Sequence, residues 1–291
     1  MPITSKFVCL NGRFLKEEEL LFDANNRAFR YGDGFFETMH YAFGEIQLFE
    51  QHLDRIKKTM SLLKLESNIL LHAQLLHKEI VHLINANHYF KGARVRFSIF
   101  RNGAGLYEPE TNSASYLIES WALEDDKYPL NRKGLKIGIY SSLKKPKGAS
   151  FFYKSLNTRV SILASIYKQK YQFDDCLLMN SDDNLIESIS SNAFFIKDET
   201  VYTSSDNSGC IHGIMRQKLL SILPKADLKV IISEQITPKD IPEFDEIFLT
   251  NAIHGIQWVG AYKARRYDNK ITKKIHNILT ETILYSKTIH T

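Results

Sequence analysis

The 291-residue chain is 44% apolar and 24% charged, with a formal net charge of +5, which is the profile of a globular protein long enough for one large domain or two ordinary ones. Its basic stretches, residues 144–147 and 263–266, are short and flanked by apolar or turn residues, so no basic stripe with a nucleic-acid reading module is present. Cys9, Cys176 and Cys210 are odd in number and lack metal-ligand spacing, and no leader or bilayer-length apolar run is seen. The sequence therefore predicts a cytoplasmic protein with no disulfide framework, no metal and no membrane partner.

In chain order, a strand over residues 7–10 enters an Asn-Gly turn at Asn11 and Gly12, a hairpin signal. Residues 34–41 and 46–49 read as a second strand pair joined through Phe43, Gly44 and Glu45. Leu53, Ile56, Met60 and Leu63 repeat at helical spacing within a helix over 51–65, and a second helical stretch covers 69–85. Alternation of Val95, Phe97 and Ile99 predicts a strand over 94–100, followed by one over 115–121. The polar segment 123–133 is the expected linker between a small N-terminal α/β domain, 1–122, and a larger C-terminal domain, 134–291. That second domain opens with a strand over 135–140 and a Gly/Pro/Lys loop over 144–150. A helix over 158–171 follows, then hairpins of 176–179 with 185–188 and of 193–196 with 200–203. Helices and hairpins are mixed, so the expected class is α/β of the mixed α+β kind, with two domains.

Four places hold residues suited to chemistry. Lys154 follows three aromatic residues in Ser150-Phe-Phe-Tyr-Lys-Ser-Leu-Asn157. Apolar surroundings depress an amine's pKa, and a lysine that attacks an aldehyde needs the neutral form; a snorkelling lysine at a strand end is the competing reading. Glu187 shares a strand face with Leu185 and Ile189, where a carboxylate needs a cation or donor unless the strand is an edge open to water. Arg55 lies three residues after His52 on a helix and can fork onto phosphate oxygens or form a surface pair with Glu50. The segment 209–216, with Gly209 and Gly213, precedes an apolar run; bare amides at a helix start can bind an anion, or form a plain loop.

Together these residues resemble the class IV aminotransferases, the fold-type IV pyridoxal-phosphate (PLP) enzymes. The resemblance is carried in order by Arg30-Tyr-Gly-Asp-Gly-Phe-Phe-Glu-Thr38, His52-Leu-Asp-Arg55, Lys154-Ser-Leu-Asn157, Glu187-Ser-Ile-Ser-Ser-Asn192, Gly213-Ile-Met215 and Leu249-Thr-Asn-Ala252. It implies a two-domain fold, commonly a homodimer whose active site lies near the domain and subunit interface. It also implies that Lys154, in the C-terminal domain, bears the Schiff base on pyridoxal 5'-phosphate and that Glu187 contacts the pyridine nitrogen. Arg55, Ile214, Met215, Asn251 and Ala252 are implied to hold the phosphate.

Within the family, Thr38, the loop Arg101-Asn-Gly-Ala-Gly-Leu-Tyr107 and the segment 249–256 are similar to 4-amino-4-deoxychorismate lyases. Asn102 stands where glycine is usual and Trp258 where proline is common. The implied activity is elimination of pyruvate from a small amino substrate to give p-aminobenzoate, in folate biosynthesis, with Tyr31, Thr38 and Arg101 placing the substrate. The alternative is an aminotransferase acting on branched-chain or D-amino acids with 2-oxoglutarate.

Overall fold

A computed structural model describes residues 7–67 and 72–285, and the chain separates into two compact units. Of the described residues, the first comprises those up to Lys127 with Tyr153–Asn157, the second Tyr128–Phe152 with those from Thr158 on. Among the described residues no helix is long and apolar enough to cross a membrane, and no group of His, Cys, Asp or Glu could hold a metal ion.

The first unit is an antiparallel sheet with two helices on one face. Its strands are β1 (Phe7–Leu10), β2 (Arg13–Lys16), β3 (Gly34–Ala42), β4 (Glu45–Ile46), β5 (Ala93–Arg101) and β6 (Ala114–Ala122), arranged β2-β1-β6-β5-β3-β4. The Asn11–Gly12 turn closes β1 on β2, with both residues at positive φ. A short helix, α1 (Arg27–Tyr31), precedes β3. The arm after Gly44 is only two residues long, and α2 (Phe49–Leu63) begins where the sequence predicts strand. In α2, Leu53, Ile56 and Met60 are buried at helical spacing, and sealing that apolar stripe outweighs strand pairing for so short a segment. The next helix, α3, runs Ala73–Ala86; positions 69–71 of the predicted stretch lie outside the described residues.

Strict alternation splits the sheet residues between two faces. Phe35, Met39, Val95, Phe97, Ile99 and Ile118 join residues of α2 and α3 in one core. Phe36, Thr38, Arg96, Ser98, Leu117 and Glu119 occupy the other face, as register pairs Phe36↔Ser98, Thr38↔Arg96, Arg96↔Glu119 and Ser98↔Leu117 require.

Residues 153–157 add to this unit through backbone pairing. The Phe36 amide donates to the Lys154 carbonyl at 2.9 Å, Phe35 bridges Ser155, and the Leu156 amide donates to the Gly34 carbonyl at 3.1 Å. Lys154 thus groups with the N-terminal unit, whereas the sequence places it in the C-terminal domain; pairing with the stretch of β3 that the two-residue β4 leaves open decides this.

The second unit is a sheet ordered β12-β11-β10-β13-β14-β7-β8-β9. The strands are β7 (Leu135–Lys145), β8 (Asp175–Asn180), β9 (Leu185–Ser188), β10 (Asn192–Lys197), β11 (Thr200–Ser204), β12 (Val230–Ser233), β13 (Glu246–Asn251) and β14 (Gly255–Tyr262), with β15 (Arg265–Arg266) on β14. The predicted loop at 144–150 starts later, because β7 runs on through Lys145. The pair Glu187↔Asn192 also joins β9 to β10, so β10, β13, β14, β7, β8 and β9 close into a ring. Burial on both faces explains the near-continuous apolar runs of β8 and β10. Helices α4 (Arg159–Lys170), α5 (Ile214–Ile222) and α6 (Lys270–Tyr285) pack around the sheet.

Candidate functional site

The first unit gathers Lys154, Arg55, Thr38 and Tyr31. Lys154 is half-buried, its Nζ 5.7 Å from the centre of the Phe36 ring. Arg55 is buried, which removes the surface pair with Glu50; its partner is Glu37 instead. Oε1 of Glu37 accepts from Arg55 Nε at 2.7 Å, while Oε2 accepts from Arg55 Nη2 and lies within hydrogen-bond reach of His52 Nδ1, both at 2.7 Å. Burial alone would push the Glu37 carboxyl up, but the Arg55 and His52 charges and hydrogen bonds outweigh it and hold it at about 2. Burial pushes His52 the other way, down from its usual value, against the pull of Glu37.

Reading the sequence for lone polar groups misses Glu37, although the alternation that flags Glu187 also puts Glu37 on the apolar face with Phe35 and Met39. It misses Arg96 too. The Arg96 guanidinium lies 3.8 Å from the centre of the Phe36 ring and 3.7 Å from Glu119, on the Thr38 face. Burial lowers its pKa and Glu119 opposes the shift. A cavity of about 480 Å³ on that face is lined by Phe22, Asn26, Phe29, Arg96, Glu119 and Leu156 among others. Tyr31 ends α1, beside the Arg27 guanidinium and the Tyr107 ring.

Arg101 is placed differently from the expectation. Its buried guanidinium donates to Asp33 at 3.0 Å, to the Asn112 side chain at 2.7 Å, and to the carbonyls of Leu63 and Lys64. Asp33 also accepts from Arg27, which in turn donates to the carbonyls of Ala104, Gly105 and Leu106. Arg101 therefore ties the 102–112 loop to the end of α2, and these bonds leave the substrate role without support.

The second unit gathers Glu187, Ile214, Met215, Asn251 and Ala252. Glu187 is 5% exposed, which excludes an edge-strand carboxylate in water. It pairs with Lys145 and accepts the Ile211 amide at 2.8 Å. Through Glu187↔Asn192 and Asn192↔Thr250, the ring places Glu187 in one row with the β13 end, with β10 between them. Asn192 donates to the Ile211 carbonyl at 2.7 Å, and its Oδ1 would lie 2.0 Å from a Cβ at position 213. Glycine is thus required where α5 begins, and Gly213 caps α5 without a side-chain acceptor. The first-turn amides of Ile214 and Met215 have no intrahelical carbonyl to bond. Asn251 shapes the adjoining turn, accepting from the amides of Ile253 and His254 and donating to Ser191 at 2.9 Å.

Each unit by itself holds groups suited to part of a phosphorylated pyridine. Helix-start amides and a buried arginine suit a phosphate, a buried carboxylate suits a protonated ring nitrogen, and an amine among aromatic rings suits an aldehyde. Nε2 of His52 is one of several buried side-chain polar atoms with no hydrogen-bond partner among the described residues.

Comparison with known proteins agrees. Aminodeoxychorismate lyase of Vibrio harveyi is 23% identical over 252 residues, 84% of this chain and 88% of the relative. D-alanine aminotransferase of Listeria innocua is 24% identical over 290 residues, 95% and 96% of the two chains. The branched-chain amino acid aminotransferase of Thermobaculum terrenum, solved in its PLP-bound holo form, shares the fold with a TM-score of 0.81 at 19% identity, over 96% of this chain and 94% of the other. The family model for amino-transferase class IV matches residues 34–262, and the chain belongs to that family.

Proposed function

We propose that the chain is a 4-amino-4-deoxychorismate lyase, releasing pyruvate and p-aminobenzoate and so serving folate biosynthesis. The family and the described half-sites make it an enzyme whose cofactor is pyridoxal 5'-phosphate. Bound, that cofactor supplies an electron sink for the α-carbon of an amino substrate. Arg55 in the first unit and, in the second, the first-turn amides of α5 and the Asn251–Ala252 turn are the groups that would suit its phosphate. Glu187 would accept the ring N–H, and Lys145 beside it offsets the cost of burying a carboxylate there. The Lys154 amine would be the group that takes the proton from the substrate carbon.

The observation that carries the lyase reading is the Thr38↔Arg96 pair. It sets a hydroxyl and a half-buried guanidinium side by side, on the same sheet face as the Phe36 ring that Lys154 approaches. A substrate with two carboxylates finds there a cation and a hydrogen-bonding hydroxyl, and Tyr31 lines its path. Arg96 takes the role expected of Arg101.

An aminotransferase is the second reading, because relatives at 23–24% identity carry both names. Lys154, Arg55 and Glu187 serve either reaction. The deciding experiment incubates the protein with aminodeoxychorismate and, separately, with leucine, isoleucine, valine or D-alanine plus 2-oxoglutarate. Formation of p-aminobenzoate should outpace any keto acid. Loss of one positioned hydrogen bond costs about 1–3 kcal/mol, so Thr38→Ala should slow the lyase reaction about ten- to a hundredfold and leave the cofactor spectrum unchanged. Brisk transamination without p-aminobenzoate would replace the lyase with the aminotransferase.

A further inference from the structure

Glu37, His52 and Arg55 form a buried cluster inside the first unit, and phosphate binding by Arg55 accounts for only one member of it. Strand β3 turns Glu37 toward α2, where His52 and Arg55 stand about one helical turn apart. Glu37 takes up both Arg55 and His52 Nδ1. His52 is 1% exposed, and its Nε2 has no partner among the described residues. An unpaired buried ring nitrogen is costly, and a ligand that supplied the partner would remove the cost. Three charged groups act on the ring: Glu37 from β3, Arg55 from its own helix and Lys154 from the 153–157 segment. Burial and the two cations oppose a second ring proton. A neutral ring that directs its one proton from Nδ1 to Glu37 presents a bare lone pair at the unpartnered Nε2.

We propose that His52 is a second phosphate-binding residue beside Arg55, its Nε2 sharing with a phosphate oxygen one proton taken from solution as the cofactor binds. This rests on the pyridoxal-phosphate reading above and deepens it. A phosphate monoester has a second pKa of about 6, so above neutrality it arrives as a dianion. A dianion and a lone pair repel each other unless a proton joins them. One proton from solvent supplies the hydrogen bond and no covalent bond is broken. The count is the same whether nitrogen or oxygen holds the proton. Glu37 stabilises the arrangement from the far side of the ring, as a positioning residue.

The test titrates the full chain, stripped of cofactor, with pyridoxamine 5'-phosphate, which has no aldehyde to bond Lys154. Uptake of one proton makes affinity fall about tenfold per pH unit above neutrality, and calorimetry in buffers of different ionisation heat should read that uptake. In His52→Gln the amide nitrogen reaches the Nε2 position and donates without titrating, so binding should persist while the pH slope flattens by about tenfold per unit. An equal slope in both proteins overturns the proposal and leaves the cofactor reading intact. Absence of saturable binding to the wild type overturns both. Should His52→Gln fail to fold, the wild type still decides: the nitrogen-15 shift of Nε2 must leave the bare lone-pair position when pyridoxamine 5'-phosphate is added, and an unmoved shift overturns the proposal.

Discussion

At the scale of single residues, the polar groups that matter here lie on faces otherwise given to apolar side chains. Lys154 is legible because three aromatic residues precede it and the family order follows it. Replacing it with alanine should abolish the visible absorbance of the lysine-linked cofactor; borohydride-trapped cofactor on another lysine would show the assignment to be wrong. Glu187 is legible from strand alternation, but its partner Lys145, 42 positions away in sequence, is not. Glu187→Gln removes the charge that holds the ring nitrogen protonated, so turnover should fall by orders of magnitude while cofactor remains bound through Lys154 and Arg55. Near-normal turnover in that variant would mean the carboxylate serves only to neutralise Lys145. The partners of Arg101 are hidden from the sequence for a related reason. A motif reports which residue type stands in a loop, whereas its hydrogen-bond partners Asp33, Asn112 and the α2-end carbonyls come from three other segments.

At the scale of elements, periodicity locates α2, α4 and most strands to within a few residues, because burial of one face imposes the 3.6- or 2-residue repeat. It fails where an element's existence depends on a distant group. Helix α6 begins on the Glu246 carboxylate, which accepts from the amides of Ile271 and Thr272 at 2.7 and 2.8 Å and from the Thr272 hydroxyl at 2.7 Å. Glu246 is 4% exposed at the start of β13, so it caps the helix electrostatically across 25 positions of sequence. Glu246→Ala leaves two helix-start amides without their acceptor and should cost about 2–3 kcal/mol of unfolding free energy. Chemical denaturation would read this as a lower midpoint at unchanged slope; an unchanged midpoint would show that water replaces the carboxylate.

At the scale of the whole molecule, a ligand that binds only the folded protein adds about 2.7 kcal/mol at a concentration one hundred times its dissociation constant. Stripping the cofactor should therefore lower the melting temperature by a few degrees, and pyridoxamine 5'-phosphate should restore most of it; an unchanged melting temperature on both treatments would show that no such ligand is held. Sequence by itself determined the class, the family and the candidacy of Lys154, Arg55 and Glu187, since each follows from local pattern: alternation, helical spacing and residues in fixed order. Tertiary structure alone decided that residues 153–157 pair with β3, that Glu37 neutralises Arg55 and meets His52, and that Arg96, not Arg101, shares a face with Thr38. Those outcomes depend on which strand edge is free and which side chains meet across a register, and no window of local sequence contains both partners.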